Sequence, residues 1–305
     1  MDGALIVDKP PGPTSHDVVA VARRALQTRQ IGHTGTLDPL ATGVLVLLVG
    51  RATRLSQFIV HDQKEYVAGI RLGVATATYD AEGLSDNSQS PIPNSQITQS
   101  IGNLELGIGS LDHVLSDFRG TFLQTPPTFS AKKIDGRRAY AHARKDRPIE
   151  MTPVQVTVQE LERLPSTDVT LIRLRMVVSA GFYVRSLAHD IGQRLGCGAH
   201  LESLRRTRSG ALSIDDSITL EALATGTPTL VPMNRLVQDM PAVTLTDEGL
   251  RRAAHGNVIG IGHITDGPRE GPDGGRIRLL APDGELVGIG IRDASAVLHP
   301  CVVLV

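Results

Sequence analysis

Cysteine is scarce in this chain. Cys197 and Cys301 are its two cysteines, too few and too far apart to make a disulfide framework. A reducing compartment follows as the expectation. Cys197 and His200 have a metal-like spacing, but no second Cys/His pair completes a zinc site, so no metal is expected. An excess of charge of one sign is also missing. The 31 Lys and Arg against 32 Asp and Glu leave a net charge of −1. That balance excludes a globally basic nucleic-acid binder, and a nucleic-acid partner would have to meet a local basic surface. No apolar run approaches the ~20 residues of a membrane-spanning helix. The start, MDGALIVDKPPG, lacks the basic opening and long apolar stretch of a signal peptide, so a cytoplasmic location is expected. Tandem repeats and heptads are absent as well.

What is present is ordinary for a globular protein: 41% hydrophobic and 21% charged residues. A chain of 305 residues suffices for a large domain, with or without a small second one. Short strands are expected over 4–7 and 44–49, the second an apolar run typical of a buried strand. Between them Pro10, Pro11, Gly12 and Pro13 make a rigid turn, and Thr14 or Ser15 caps a helix reaching Leu26. A helix over 52–60 and a strand over 65–72 follow. Residues 84–109 are rich in Ser, Asn, Gln, Gly and Pro and read as a long exposed loop. Beyond it, the pattern predicts a helix near 111–118, a strand over 128–133, a turn at Asp135-Gly136 and a basic helix over 137–144. Strands over 154–164 and 169–179 come next, then helices over 186–195 and 219–224. A boundary near 239–243 precedes a helix over 246–255 and a hairpin, 276–281 with 285–291, around Pro282-Asp283-Gly284.

Residues 32–43, GHTGTLDPLATG, are the most informative segment. Gly32, Gly35 and Gly43 can supply unusual backbone angles, and the threonines can hydrogen-bond neighbouring backbone. Pro39 biases Asp38 away from the helical region. The segment thus holds one carboxylate on a stiff, shaped loop, as a catalytic group requires. The same residue types also build a capped turn between core elements. Basic clusters exist at Lys132, Lys133, Arg137, Arg138, Arg144, Lys145 and Arg147, and again at Arg205, Arg206 and Arg208. Charge runs of this kind are commonly just solvated faces.

The loop closely resembles the signature of the TruB family, the tRNA pseudouridine-55 synthases. Further segments match that family in order and spacing: KEY at 64–66, YDAEG at 79–83, QTPPTFSAKK at 124–133, GFYVR at 181–185 and GCGAHLESLRR at 196–206. The resemblance spans about residues 5–208. It implies an α+β fold, a large mixed, mainly antiparallel sheet flanked by helices over 1–240, followed by a small β-rich, PUA-like RNA-binding domain over 241–305.

The resemblance also implies residue roles. Asp38 takes the place of the catalytic aspartate, Arg185 pairs with it, and Tyr66 stacks on the flipped base and takes the C5 proton. Tyr183 and Leu204 are pocket positions, and His33 fills the space that the base vacates. Asp80 stands in the acidic turn. Lys64, Lys132, Lys133, Arg205 and Arg206 would hold the RNA backbone. The implied partner is the T stem-loop of tRNA, with no cofactor, no membrane and no obligate protein partner, the chain acting as a monomer. Two departures stand out: Ala77 replaces a customary acid, and the expected Arg near 152–154 is missing. An RNA-folding chaperone and an enzyme of the same fold acting on another RNA are the alternatives. An unrelated hydrolase using Asp38 lacks a paired second carboxylate in the loop.

Overall fold

The computed structural model describes residues 1–60, 62–83, 108–129, 133–134, 137–138, 151–226, 228–268 and 270–305. Its first half opens with strand β1 (Gly3–Lys9), helix α1 (Ser15–Ala25), and strands β2 (Ile31–His33) and β3 (Thr42–Val49). Thr14 caps α1 in a reciprocal box with Asp17, so the helix starts where the sequence predicts. A 3-10 turn over Gly50–Leu55 leads into a single α-turn, α2 (Ser56–Ile59), instead of one continuous helix. Strand β4 (Lys64–Leu72), helix α3 (Ile108–Ser116) and strand β5 (Gly120–Gln124) follow.

Of the expected strand over 128–133, residues 128–129 are irregular, 130–132 lie outside the described residues and Lys133 is in a strand. Residues 125–129 are irregular, and the Phe129 carbonyl accepts from the buried Arg185. At the start of the expected basic helix over 137–144, residues 137–138 are extended instead. Lys133–Ile134 (β6) pairs with Arg137–Arg138 (β7), and Asp135-Gly136 between them is a dipeptide that favours two-residue hairpin connections. The remainder of that expected helix, Lys132 and positions 84–107 of the expected long loop lie outside the described residues.

Strands β8 (Val154–Leu164) and β9 (Leu171–Val178), helix α4 (Val184–Arg194), strands β10 (Ala199–Ser209), β11 (Leu212–Ser213) and β12 (Ile218–Thr219), and helix α5 (Leu220–Thr225) complete the larger layer. Its described sheet has ten strands, with the path β12-β1-β3-β10-β4-β9-β8-β5 and with β2 and β11 alongside β3 and β10. Two of its pairings, β1 with β12 and β10 with β3, are parallel and the rest are antiparallel. This is the α+β architecture that the resemblance implies.

Strands β1 and β3 are buried on both faces, which explains their unbroken apolar runs. Leu5, Val7, Leu45 and Leu47 pack under α1 and α4. Ala4, Ile6, Val44, Val46 and Leu48 face the other way, against residues of a second sheet. That sheet follows strand β13 (Ala242–Leu245), helix α6 (Asp247–Ala254), and strands β14 (Ile264–Asp266), β15 (Arg276–Leu280), β16 (Leu286–Arg292) and β17 (Leu298–Val303). Its order is β14-β13-β15-β16-β17. Leu286, Ile289, Val302 and Leu304 join the apolar cluster behind β1 and β3. Arg54 donates to the Val303 carbonyl at 2.6 Å, and the Arg276 guanidinium lies 5.1 Å from the centre of the Phe58 ring. Among the described residues, no helix is long and apolar enough to cross a membrane.

Candidate active site

A cleft of about 350 Å³ opens on the larger sheet beside the start of α4. Residues 35–38 of the signature loop form one wall. Lys64 and Tyr66 of β4, Leu204 and Arg206 of β10, and residues 179–185 form the others.

Three side chains from distant parts of the chain fix the loop. The Ser15 hydroxyl donates to the Leu37 carbonyl at 3.0 Å and accepts from the Leu37 amide at 2.9 Å. Lys9 is completely buried, and its ammonium donates to the carbonyls of Pro10, Pro39 and Ala41 at 3.0, 3.1 and 2.6 Å. Arg206, 1% exposed, donates to the Val44 carbonyl at 2.7 Å and the Gly35 carbonyl at 3.1 Å. Buried cations survive when their donors are satisfied in this way. The loop backbone is therefore held in advance, and Asp38 does not have to be ordered by its substrate.

Asp38 meets Arg185 at the cleft. Arg185 Nε lies 2.9 Å from Asp38 Oδ2, and its Nη2 donates to Oδ1 at 3.3 Å. The same guanidinium reaches Asp80 Oδ2 at 3.3 Å and the carbonyls of Thr78 and Phe129 at 3.2 and 2.9 Å. One cation thus bridges two carboxylates. The Asp80 side chain is 4% exposed, whereas that of Asp38 is 35% exposed, so Asp38 is the one open to an incoming group. Asp80 also accepts from the Thr78 hydroxyl and the Glu82 amide. Burial pushes the Asp38 carboxyl above the usual carboxylate range, Arg185 draws it back, and Asp80 adds to the push. Glu82 is raised by burial and by the same two aspartates.

The remaining expected residues divide into two groups. Tyr66, 9% exposed, and Leu204, 8% exposed, line the cleft, as does Tyr183. Tyr183 precedes α4 and is held by Gln124, whose amide group bonds both its backbone N–H and its carbonyl. Lys64 also lines the cleft but is buried, donating to the Val60 and Asp62 carbonyls at 2.8 and 2.5 Å. Burial lowers its pKa to about 8. It is thus tied to backbone, unlike an exposed phosphate contact. His33 ends β2, with its ring edge-on to His16 at 5.4 Å. It belongs to the loop's entry and not to the cleft lining.

Arg205 and Arg206 point to opposite faces of β10, as alternate strand residues must. Arg205 forms a two-pronged pair with Asp8 at 3.0 and 2.8 Å, away from the cleft lining. Arg206 is the buried support of the loop. It is buried and donates to the Gly35 and Val44 carbonyls, a placement unlike that of an exposed RNA-backbone contact. Lys9, Ser15 and Arg206 are the functional residues that the sequence reading missed as supports. The signal available for Lys9 was its place at the end of a strand whose residues 4–7 are all apolar.

Two family models cover most of the chain. One, described as the N-terminal domain of TruB family pseudouridylate synthase, matches residues 23–184. The other, the C-terminal domain of tRNA pseudouridylate synthase B, matches residues 185–238. The chain belongs to the TruB family. Among curated TruB relatives, tRNA pseudouridine synthase B of Solibacter usitatus is 40% identical over 100% of both chains. That of Aquifex aeolicus is 39% identical over 95% of each. Among solved structures, the TruB chain matches a Cbf5–Nop10–Gar1 complex with a TM-score of 0.72 and 27% identity. It matches an H/ACA RNP bound to a substrate RNA containing 2′-deoxyuridine with a TM-score of 0.71 and 27% identity. In both cases 99% of this chain and 85% of the other are covered.

Proposed function

We propose that this chain isomerises uridine 55 in the T loop of tRNA to pseudouridine, with Asp38 as the reacting carboxylate. The observation that carries the reading is the position of Asp38. It is open to the cleft, ion-paired to Arg185, and held on a loop braced by Lys9, Ser15 and Arg206. The reaction needs such a group. The bond from ribose C1′ to uracil N1 breaks, a bond from C1′ to C5 forms, the C5 hydrogen leaves as a proton and N1 gains one. Atoms and electrons balance within the nucleotide, so the chemistry calls for a carboxylate and a base, and for no cofactor.

A uridine stacked in folded RNA must first be extruded, at a cost on the order of a few kcal/mol. The cleft offers Tyr66 as a stacking face and proton acceptor, and Tyr183 and Leu204 as walls. Arg185 favours the ionised form of Asp38 against the effect of burial and directs the carboxylate. Residues 1–240 serve as the catalytic domain and 241–305 as a PUA-like extension of the RNA surface. The separate five-stranded sheet supports that division. We read the chain as acting in the cytoplasm without a protein partner. The names of its relatives support tRNA as substrate.

The test is tritium release from C5-labelled uridine in an unmodified tRNA transcript, using the purified chain alone. Wild type should release tritium, and Asp38→Asn should release none while still binding tRNA. A transcript with cytidine at position 55 should also release none. Release from that transcript would move the target elsewhere, and release by Asp38→Asn would remove Asp38 from the chemistry.

A further inference from the structure

Arg185 is gripped from the side by a turn whose middle residue has an unusual backbone. Thr78 and Asp80 both bind its guanidinium, at 3.2 and 3.3 Å. Tyr79, between them, has φ +64°, a left-handed conformation that strains a bulky side chain. Its ring is stacked on the His189 ring, with centroids 3.9 Å apart and planes 15° apart. His189 lies four residues after Arg185 on α4, on the same helix face one turn along. The helix therefore holds the turn at two points, by the guanidinium at 78 and 80 and by the imidazole at 79. His189 Nδ1 is buried without a hydrogen-bond partner. The ring thus acts through its face, and burial holds it below the usual histidine range, in the neutral form suited to stacking.

We propose that Tyr79 and His189 are positioning residues for the isomerisation: their stack locks the left-handed turn that sets Asp80 and the Thr78 carbonyl on Arg185, and through Arg185 the direction of Asp38. Neither ring is in the cleft lining, so the pair acts through Arg185 and not on the substrate. On its far side the turn is tied to β10, where the Leu201 amide donates to the Tyr79 carbonyl at 2.9 Å and the Ala81 amide donates to the Leu201 carbonyl at 3.0 Å; within itself, the Tyr79 amide donates to the Thr76 carbonyl at 3.1 Å and the Thr76 hydroxyl to the Asp80 carbonyl at 2.7 Å. Without the stack, α4 holds the turn through Arg185 at positions 78 and 80 and no longer at the strained position 79. The turn would then relax, and the bridge between Asp38 and Asp80 would loosen with it. The link to turnover rests on the proposed isomerase reading. The geometric claim does not.

The experiment separates ring from backbone. Tyr79→Gly keeps the left-handed conformation available and removes the stack, whereas Tyr79→Phe keeps the stack and removes the hydroxyl. His189→Ala and His189→Phe do the same from the other side. Misplacing a reacting group by about 1 Å costs on the order of 10²-fold in rate, so a partial loosening is expected to lower kcat about 10- to 100-fold in Tyr79→Gly and His189→Ala. KM for tRNA should stay within about twofold, and both Phe variants should recover most of kcat. The double variant Tyr79→Gly/His189→Ala should fall no further than the weaker single. Full kcat in Tyr79→Gly, equal loss in Tyr79→Phe, a loss confined to KM, or a loss that tracks the folded fraction on thermal melting would each overturn the proposal. Carbon-13 NMR titration of the Asp38 carboxyl in the substrate-free protein reads the same device independently. The Asp38 titration should move in Tyr79→Gly and not in Tyr79→Phe, and an unmoved titration in Tyr79→Gly refutes the positioning role. A wild-type chain inactive on tRNA would sink the isomerase reading alone and leave the NMR result to decide the positioning claim.

Discussion

Gly43 and Arg206 are in register at the parallel junction of β3 and β10, and a Cβ at Gly43 would lie 2.1 Å from the Arg206 carbonyl oxygen. The last glycine of the signature loop thus lets the loop's exit strand lie against the strand that carries its buried support. Gly43 also has φ +97°. Gly43→Ala combines strain with a backbone overlap and should destabilise the fold by about 2–4 kcal/mol. Gly32, in the same loop, has nothing within 4 Å of a Cβ, so Gly32→Ala should change stability by less than about 0.5 kcal/mol. Urea unfolding of the two variants checks the contrast, and equal losses would refute it.

Lys9 binds the Asp38 loop from below. Lys9→Met removes the donor for the Ala41 carbonyl and one donor each for Pro39 and Pro10. Leaving the buried Ala41 carbonyl unmet, with the part-buried carbonyls of Pro10 and Pro39 weakened, should cost about 1–3 kcal/mol. Because the freed segment flanks Asp38, kcat should fall while KM for tRNA stays nearly constant. Chemical denaturation and single-turnover rates read the two effects separately. Unchanged kcat in a folded variant would show that the loop keeps its shape without the lysine.

Turnover should depend on pH through Asp38. Burial raises its pKa, so the acid limb of kcat should lie above the ordinary aspartate value of about 3.9. The Arg185 cation favours the ionised form, and its removal in Arg185→Met should raise the pKa further. The acid limb then moves to higher pH, and kcat at neutral pH drops by about 10²-fold or more while tRNA affinity is largely retained. A limb that stays in place when Arg185 is replaced would show that another group governs it.

Tyr66 faces the cleft with its ring largely buried and pairs in register with Arg206. Tyr66→Phe should keep tRNA affinity and slow tritium release, because the stacking face survives and the phenol oxygen does not. A wild-type rate would confine Tyr66 to stacking.

Asp190, on α4, has its pKa lifted to about 6 by burial, against about 3.9 in the unfolded chain. Between those values the unfolded chain gives up the proton first. Stability from this group is therefore highest below pH 4, falls as pH rises, and is lowest above pH 6. The Asp190→Asn side chain cannot ionise, so the variant should gain on wild type by about 1–2 kcal/mol from pH 4 to pH 7. Urea melts at the two values test this, and a pH-independent difference would contradict it.

The sequence was most legible where local rules decide. Thr14 and Asp17 spell out the start of α1, the apolar run at 44–49 gives β3, and the glycines after 31 announce a shaped loop. It was least legible where distant partners decide. Strand β10 was missed because Glu202, Arg205, Arg206 and Arg208 make its sequence look like a solvated surface. In the fold the Arg206 guanidinium donates to carbonyls more than 160 positions away, an interaction that no local pattern encodes. The same holds for Lys9, whose nearest sequence neighbours suggest a strand end. Asp38, Tyr66, Leu204 and Arg185 were found through their motifs, and the fold brings them around one cleft. The distinction between Arg205 and Arg206 required knowing which face of β10 each occupies. Residues 137–138 misled because their charges suggest a basic helix, while in the fold they pair with Lys133–Ile134.

The apolar cluster behind β1 and β3 gives the second sheet a mechanical place in the enzyme. Ala4, Ile6, Val44 and Val46 belong to the two strands that end in Lys9 and begin after Asp38, and they rest on Leu286, Ile289 and Val302. The second sheet is thus a buttress for the floor of the reaction chamber. Excising it would strip the foundations from beneath the signature loop, so loss of activity in a shortened chain would report structural collapse as readily as lost grip on RNA.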